Sequence, residues 1–510
     1  MKRAGRECLG VGLLAMAFRL ALLPLRPIPP PTVQDEFAYL LGADTFRLGR
    51  VTNPPHPMWV HFETFHENFQ PTYASKYPPA QSLFLALGWK LFGHPWYGVW
   101  LSCGAMCAAL CWMLQGWLPP RYALWGGLMA VAQWGIAGYW IDSYWGGAVA
   151  AGAGALVLGA LPRLARRPSA GVAAAGALGV LTLANSRPYE GGVLVTAATV
   201  ALCIWRRHDR RNRPIHHLSI AYAILGCGLA AMIFYNYRVT GHPLLMPYAL
   251  NQAQYSVAPI FWVAPLQKPP VYPTYRHDAI RELWVDLDMA VYLQARASPG
   301  RVLAAFCRML PVFVSPVLLA MAAIAVFLRR SRKVRYLSAM LAASTAGLLL
   351  ERTSLPHYFA PAAGLVLALA MLGIQYMWVR WGWSAVAIFA ALFCINAGVH
   401  VVSNPDPYAN PLFAARRLAV IQRLETVAGG GARQLAIVRY APGHNVLEEW
   451  VYNRADIDGS AIVWARDMGG AANRELVDYY RVRQPDRTVW LVEVDATDVR
   501  DAKVAIYAGS

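Results

Sequence analysis

The chain has 510 residues, 57% hydrophobic and only 15% charged, with a mean hydropathy of +0.34. A soluble domain carries about 25% charged residues, so this composition excludes one and points to a membrane. The net charge of +18 suits either a nucleic-acid binder or a membrane protein with basic cytoplasmic loops. Its distribution decides. From Pro405 onward 13 basic residues face 14 acidic ones, and the excess sits upstream in short clusters between apolar runs, so no nucleic-acid partner is expected.

In chain order, MKRAGRE precedes an apolar run with no A-x-A cleavage site behind it, and residues 9–25 read as an uncleaved first span. Further runs of roughly bilayer-crossing length lie near 97–118, 122–140, 146–162, 171–186, 190–205, 217–236, 302–328, 335–351, 359–378 and 382–402. Eleven spans with a cytoplasmic N-terminus place every basic cluster inside: Lys2/Arg3/Arg6, Arg121, Arg163/Arg166/Arg167, Arg206–Arg213, Arg329–Arg335 and Arg380. A twelfth run, Ala80–Gly93, is short. Counted as a span it would send two clusters outside, so it is expected to lie in the interface or dip in from the outer side.

The outer face then receives residues 26–95, the turns 139–147 and 185–192, the loop 237–300, the segment 351–361 and the tail. The tail has strand-like runs QLAIVRY, AIVWAR and TVWLVEV, with a helical ANRELVDYYRVR between the last two, which predicts a parallel βαβ unit. The expected fold is mainly α: a polytopic module over 1–403 and a small extracytoplasmic α/β domain over 404–510. The eight cysteines fall in or beside apolar runs. Cys103, Cys107 and Cys111 share a helical face and read as small packing residues.

Several polar motifs converge on that outer face. In TVQDEFAYL, Asp35 and Glu36 stand where the chain leaves the first span. Acids suit the first turn of a helix that Thr32 can cap, and a carboxylate at a partly dry boundary can serve as a base. HPMWVHFETFH spaces His56, His61 and His66 by five, which is not one helical face. Surface or hydrogen-bonding histidines are favoured there, and His61, Glu63 and His66 are only weak metal candidates. SKYPPAQ sets Lys76 and Tyr77 before a diproline, either as a rigid turn or as a cation offered to a lipid phosphate. Asp142, Arg187, Glu190, Glu351, Arg352 and His357 end or begin spans on the same side, where ionisable groups are functional candidates.

Taken in order, DEFAY, KYPPAQ opening a helix that ends in LFG, IDSYWGG, LANSRPYEGG and LPHYFAPAAGLVLAL resemble the integral-membrane GT-C glycosyltransferases. The nearest branch comprises protein O-mannosyltransferases, lipid A aminoarabinose transferases and RgtA/B/C/D-like bacterial enzymes. The resemblance covers most of residues 1–380. It departs where Tyr77 separates Lys76 from the prolines and where Arg187 stands in place of a frequent Lys.

The resemblance implies transfer of a hexosyl or pentosyl group from a polyprenyl-phosphate carrier to a glycan, lipid or protein hydroxyl, with inversion. The site would lie on the periplasmic side of a bacterial inner membrane. Asp35 would be the general base, with Glu36 orienting the acceptor or a neighbouring cation. Lys76, Arg187, His357 and Tyr358 would face the donor phosphate, and Tyr39, Tyr77, Asp142, Glu190, His56 and His61 the substrates. No cofactor is expected, and a divalent metal is unsupported. The alternatives are a flippase for lipid-linked sugars and a non-catalytic envelope assembly protein. A transporter usually places binding groups near the midplane and often shows repeats, whereas these groups edge the outer face and no repeat is visible.

Overall fold

The computed structural model describes residues 2–208, 218–266, 277–403, 407–427, 432–495 and 502–507. The end of the Arg206–Arg213 cluster, the middle of the 237–300 loop and the 403/404 boundary lie outside them. The first half contains α1 (Lys2–Ala21), α2 (Gln34–Arg47), the short α3 (Trp59–Phe62), α4 (Pro79–Phe92), α5 (Trp96–Trp117), α6 (Pro120–Ala130), α7 (Gly147–Arg166), α8 (Ala170–Ala184), α9 (Pro188–His208) and α10 (Leu218–Thr240). Then come α11 (Pro247–Tyr255), α12 (Asp278–Arg281), α13 (Asp288–Ala297), α14 (Pro299–Phe313), α15 (Pro316–Leu328), α16 (Arg332–Leu348), α17 (Ala363–Ser403), α18 (Pro411–Val427) and α19 (Gly470–Arg483).

Each expected span falls wholly or largely on helix. Five stretches among the described residues are long and apolar enough to cross a membrane: Trp96–Trp117, Gly147–Arg166, Pro188–Arg207, Leu218–Thr240 and Ala360–Ser403. The last holds two expected spans, because α17 breaks at Gly382, whose φ is +78°. The other expected spans fall on helices that are shorter or more charged, α1, α6, α8 and α16, and on α14 with α15.

The expected span 302–328 is not one straight helix. α14 and α15 meet at 114°. Pro316 cannot extend α14, and Ser315 caps the new helix through its hydroxyl, which accepts from the Val317 amide at 3.2 Å. The backbone groups freed by the break find side-chain partners. Gln133 Nε2 and Trp134 Nε1 donate to the Phe313 carbonyl at 3.2 and 2.5 Å, and Gln133 Oε1 accepts from the Ser315 amide at 3.2 Å. Such pairing lets non-helical backbone persist inside a membrane bundle.

Helix α4 is 14 residues long. Leu83, Leu87 and Leu91 project outward, 47–60% exposed, while its other face presses on α5. The approach depends on two glycines, since a Cβ on Gly88 would lie 1.9 Å from the Gly98 nitrogen. One apolar face packed and one left open is the pattern expected of an interfacial helix.

A hairpin, β1 (Glu67–Asn68) with β2 (Ala74–Ser75), sits in the first large loop. The tail forms a four-stranded sheet from β3 (Gln434–Tyr440), β4 (Ile462–Arg466), β5 (Thr488–Val494) and β6 (Lys503–Ile506), in the order β4-β3-β5-β6. β3 pairs in parallel with β4 and β5, and β6 is antiparallel to β5. The expected βαβ unit is β4-α19-β5, but its strands flank β3 rather than each other. The short edge strand β6 carries no readable pattern in sequence.

The tail shares its core with the first loop. Phe37 stacks on Tyr452 with ring centroids 4.3 Å apart. Leu41, Met58, Phe62, Phe69 and Tyr73 join Leu435, Ile437, Leu476 and Tyr480 in one buried cluster. Val446 reaches Phe65, Ile280, Leu283 and Trp284, so the 237–300 loop is also covered by the tail.

Candidate active site

Three chain segments converge where α2 begins. Asp35 lies in the first turn of α2. The hairpin places His66 beside Lys76, whose amide donates to the His66 carbonyl at 3.1 Å. Just past Lys76-Tyr77, the Ala80 amide donates to the Asn185 carbonyl at 2.9 Å, which brings Arg187 to the same place. The result is a cavity of about 330 Å³ lined by Asp35, His66, Lys76, Tyr77, Arg187, Glu190, Glu351, His357 and Tyr358 among others.

The Tyr77 hydroxyl donates to Asp35 Oδ1 in a short hydrogen bond, and His66 Nε2 stands 3.7 Å from Oδ2. His66 is the one non-glycine residue with positive φ, +64°, among the described residues. Such conformations persist where the surroundings impose them, and they cluster at functional sites. Burial, with the Lys76 charge, presses the His66 imidazole down to about 3 against the pull of Asp35. Burial alone would raise the Asp35 carboxyl, but His66, Lys76, the Tyr77 hydroxyl and Arg187 outweigh it and hold the group below its ordinary value. With His66 neutral near pH 7, Lys76 and Arg187 are the lasting charge partners, and Asp35 is ionised.

Lys76 is 4% exposed. Its ammonium is surrounded by the rings of Trp284, Tyr248 and Tyr77 at 4.6, 4.9 and 5.2 Å. No carboxylate pairs with it within 4.0 Å among the described residues. Burial lowers it to about 8, against Asp35 and Asp288 and with a further push from Arg352. Arg187 lies over the Tyr358 ring at 4.9 Å, 3.9 Å from Glu190 and 3.5 Å from the Tyr39 hydroxyl. Burial works against its charge, but Tyr39, Glu190, Tyr358 and Tyr77 keep it protonated. His357 Nδ1 shares a 2.7 Å hydrogen bond with the Tyr139 hydroxyl, and burial, then Arg187, drives the imidazole well below its usual value. Burial with Glu190 nearby lifts Glu351 to about 9 despite Arg187, so it is protonated at neutral pH.

From this polar cavity an apolar groove of about 710 Å³ leads away between α9 and α16. Pro188 and Tyr189 line both. Gly192, Val193, Thr196, Ala197 and Val200 form one wall, and Tyr336, Ala339, Met340 and Ala343 the other. From Pro188 to Ile204 it follows α9 for about 24 Å.

The remaining sequence candidates sit elsewhere. Tyr39 lies behind Tyr77, stacked on it at 4.4 Å, and reaches Arg187 rather than the cavity. Glu36 is corrected: it is 2% exposed and accepts from the Thr32 and Val33 amides at 2.7 and 3.2 Å and from the Tyr144 amide at 2.9 Å. It caps α2 and ties it to the 139–147 turn. Asp142 is also corrected, since it pairs with Arg19 at 3.0 Å and Arg26 at 3.2 Å and pins α1 to that turn.

His56 and His61 do not reach the cavity; they fasten the tail, to Asp458 at 3.0 Å and to the Arg466 carbonyl at 3.2 Å. The weak metal set does not converge either. His61 faces Arg466, Glu63 accepts from Tyr255 at 2.8 Å, and His66 faces Asp35. Among the described residues, no group of three or more His, Cys, Asp or Glu could hold a metal ion. Tyr248, Trp284 and Asp288, which complete the cavity, come from the 237–300 loop. Sequence marks that loop as large and outward, with no signal for individual residues.

No protein-family model matches the sequence, and no curated protein does. Solved structures do. The apo oligosaccharyltransferase of Archaeoglobus fulgidus is similar over 95% of this chain and 69% of that one, with 10% identity and a TM-score of 0.50. The same enzyme tethered to an acceptor peptide with an NVT sequon gives 0.52, at 10% identity over 95% and 68%. ArnT from Cupriavidus metallidurans, in the apo state, is 13% identical over 94% and 92% with a TM-score of 0.47. At 10% identity the likeness to the two oligosaccharyltransferase structures concerns the fold, and it agrees with the motif order read from the sequence. The chain has the GT-C fold of integral-membrane glycosyltransferases.

Proposed function

We propose that this protein transfers a sugar from a polyprenyl-phosphate carrier to an acceptor hydroxyl, at a site on the extracytoplasmic face of a bacterial inner membrane. The observation that carries the reading is the junction at Pro188–Tyr189, where a polar cavity holding Arg187 and Lys76, the latter with no carboxylate within 4.0 Å among the described residues, meets an apolar groove. A lipid phosphosugar has that form: an anionic head beside a long hydrocarbon chain.

In this reading the acceptor oxygen attacks the anomeric carbon while the carbon–oxygen bond to phosphate breaks and its electron pair leaves with the phosphate. The acceptor proton passes to Asp35, which is ionised and has Oδ2 free of a hydrogen-bonded partner. A positioned carboxylate contributes typically 10²–10⁴-fold by such transfer. Direct displacement inverts the anomeric centre. The leaving phosphate is already anionic and gains from fixed positive charge, which Lys76 and Arg187 supply. His357 is neutral, so it serves as a hydrogen-bonding group rather than a third cation.

Mass spectrometry of lipid copurified with the wild-type chain and with Asp35→Asn tests this. Asp35→Asn should retain a polyprenyl-phosphate sugar, and the wild type mainly the spent polyprenyl phosphate. Finding neither lipid in either preparation would sink the reading. Full turnover by Asp35→Asn would favour a flippase.

A further inference from the structure

The tail holds a second cavity, of about 660 Å³, at the carboxyl ends of β3 and β4. From β3 the chain passes to β4 on one side, then crosses through α19 to β5 on the other. Open α/β sheets bind ligands outside the carboxyl ends of their strands, and this cavity lies outside the carboxyl ends of β3 and β4. Residues 277–282 roof the cavity with His277, Asp278 and Glu282. The same stretch of chain continues to Trp284 and Asp288, which line the Asp35 cavity.

The side chains here have definite chemistry. Tyr440 stacks on His444 with centroids 4.5 Å apart, giving an aromatic surface. Arg466 is 4% exposed and pairs with Glu449 at 2.6 Å, and its Nε is buried without a hydrogen-bond partner. Arg439, half exposed, bridges Asp467 and Glu493. Four carboxylates, Asp278, Glu282, Glu449 and Asp467, and two guanidinium groups, Arg439 and Arg466, line the cavity; the lining is mildly acidic, which disfavours an anionic ligand and offers both acceptors and donors. Sugar hydroxyls both donate and accept, so they match such a lining, and the C–H face of a pyranose is an apolar surface for an aromatic wall.

We propose that this crevice binds a saccharide and holds the part of the acceptor glycan remote from the new bond. As an acceptor subsite it rests on the transfer reaction proposed above; as a saccharide site it does not. An acceptor seated there touches the segment that carries Trp284 to Lys76, so it would bear on the donor phosphate as well.

The test presents the intact chain, in nanodiscs, to an array of neutral oligosaccharides and unglycosylated Ser/Thr peptides. Wild type and Asp35→Asn should retain the same saccharide. Glu282→Ala and Arg439→Ala, both at the exposed rim, should each weaken that binding at least tenfold without unfolding the chain. Absence of saccharide binding, binding indifferent to both rim variants, or retention of peptides instead would overturn the proposal. Failure of the transfer reading would look different: Asp35→Asn would keep full turnover whatever the array showed.

Discussion

Tyr77 donates its hydroxyl proton to Asp35 Oδ1 while its ring lies flat on Tyr39, which follows Asp35 by one turn of α2. Carboxylate, hydroxyl donor and backing ring thus form one unit, braced by Arg187 on the Tyr39 hydroxyl. The unit fixes one carboxylate oxygen and leaves the other to face the cavity.

That geometry separates two variants. Asp35→Asn removes the proton acceptor while nearly keeping shape, and should cut turnover about 100-fold or more. Tyr77→Phe keeps the stack and the base but frees the carboxylate to rotate, and should cost about tenfold in kcat with the donor KM unchanged. Steady-state turnover with the copurified donor lipid measures both. Equal small losses would show that Asp35 is only a first-turn acid.

Glu36 and Asp142 should behave as structural acids. Glu36→Gln turns an amide donor toward either the Tyr144 N–H or the N–H groups of Thr32 and Val33 and should destabilise the chain by about 2 kcal/mol, visible as a lower unfolding temperature. Asp142→Ala strands the fully buried Arg19 and should cost roughly 3–5 kcal/mol. In both, kcat of the folded fraction should hold within about threefold. A hundredfold fall in kcat at unchanged stability would return either residue to the active site.

These two acids also mark how much could be read in advance. The helices under the expected spans, the short helix α4 and the meeting of Asp35, Lys76, Arg187 and His357 around one cavity were legible because composition, basic clusters and motif order are properties of the chain itself. The fate of Glu36 was not, since an acid in a first turn looks the same whether it faces substrate or caps backbone amides of its own helix. His56 and His61 were drawn in by composition, but contacts some 400 positions away assign them to the tail. Trp284 and Tyr248 wall in Lys76 from a loop whose sequence has no period or motif. Only the packing of distant segments selects them.

Lys76 gives the site a pH signature. Burial holds its ammonium near 8, so the cation is present below that pH and lost as pH rises through it. The donor kcat/KM, which reports groups of the free enzyme, should therefore fall above about pH 8. Lys76→Arg should lower the plateau, because a planar guanidinium does not fit an ammonium's place, yet remove the alkaline limb. An identical limb in Lys76→Arg would assign it to another group.

The groove between α9 and α16 can be closed at Gly192. A Cβ there meets nothing within 4 Å, so a larger side chain enters the groove rather than the protein core. Replacing a glycine inside α9 by alanine should stabilise the helix by about 0.5–1 kcal/mol, which makes Gly192→Ala the control for folding. Gly192→Phe fills the groove beyond Tyr189, where the isoprene units after the first would lie. It should raise the KM for the natural donor at least tenfold, equivalent to about 1.4 kcal/mol of binding, and strip the copurified lipid. With a donor whose lipid ends after one isoprene unit, wild type and Gly192→Phe should give the same kcat, because the cavity around Asp35 is untouched. Undiminished affinity of Gly192→Phe for the long-chain donor would place the lipid elsewhere and separate the groove from the reaction.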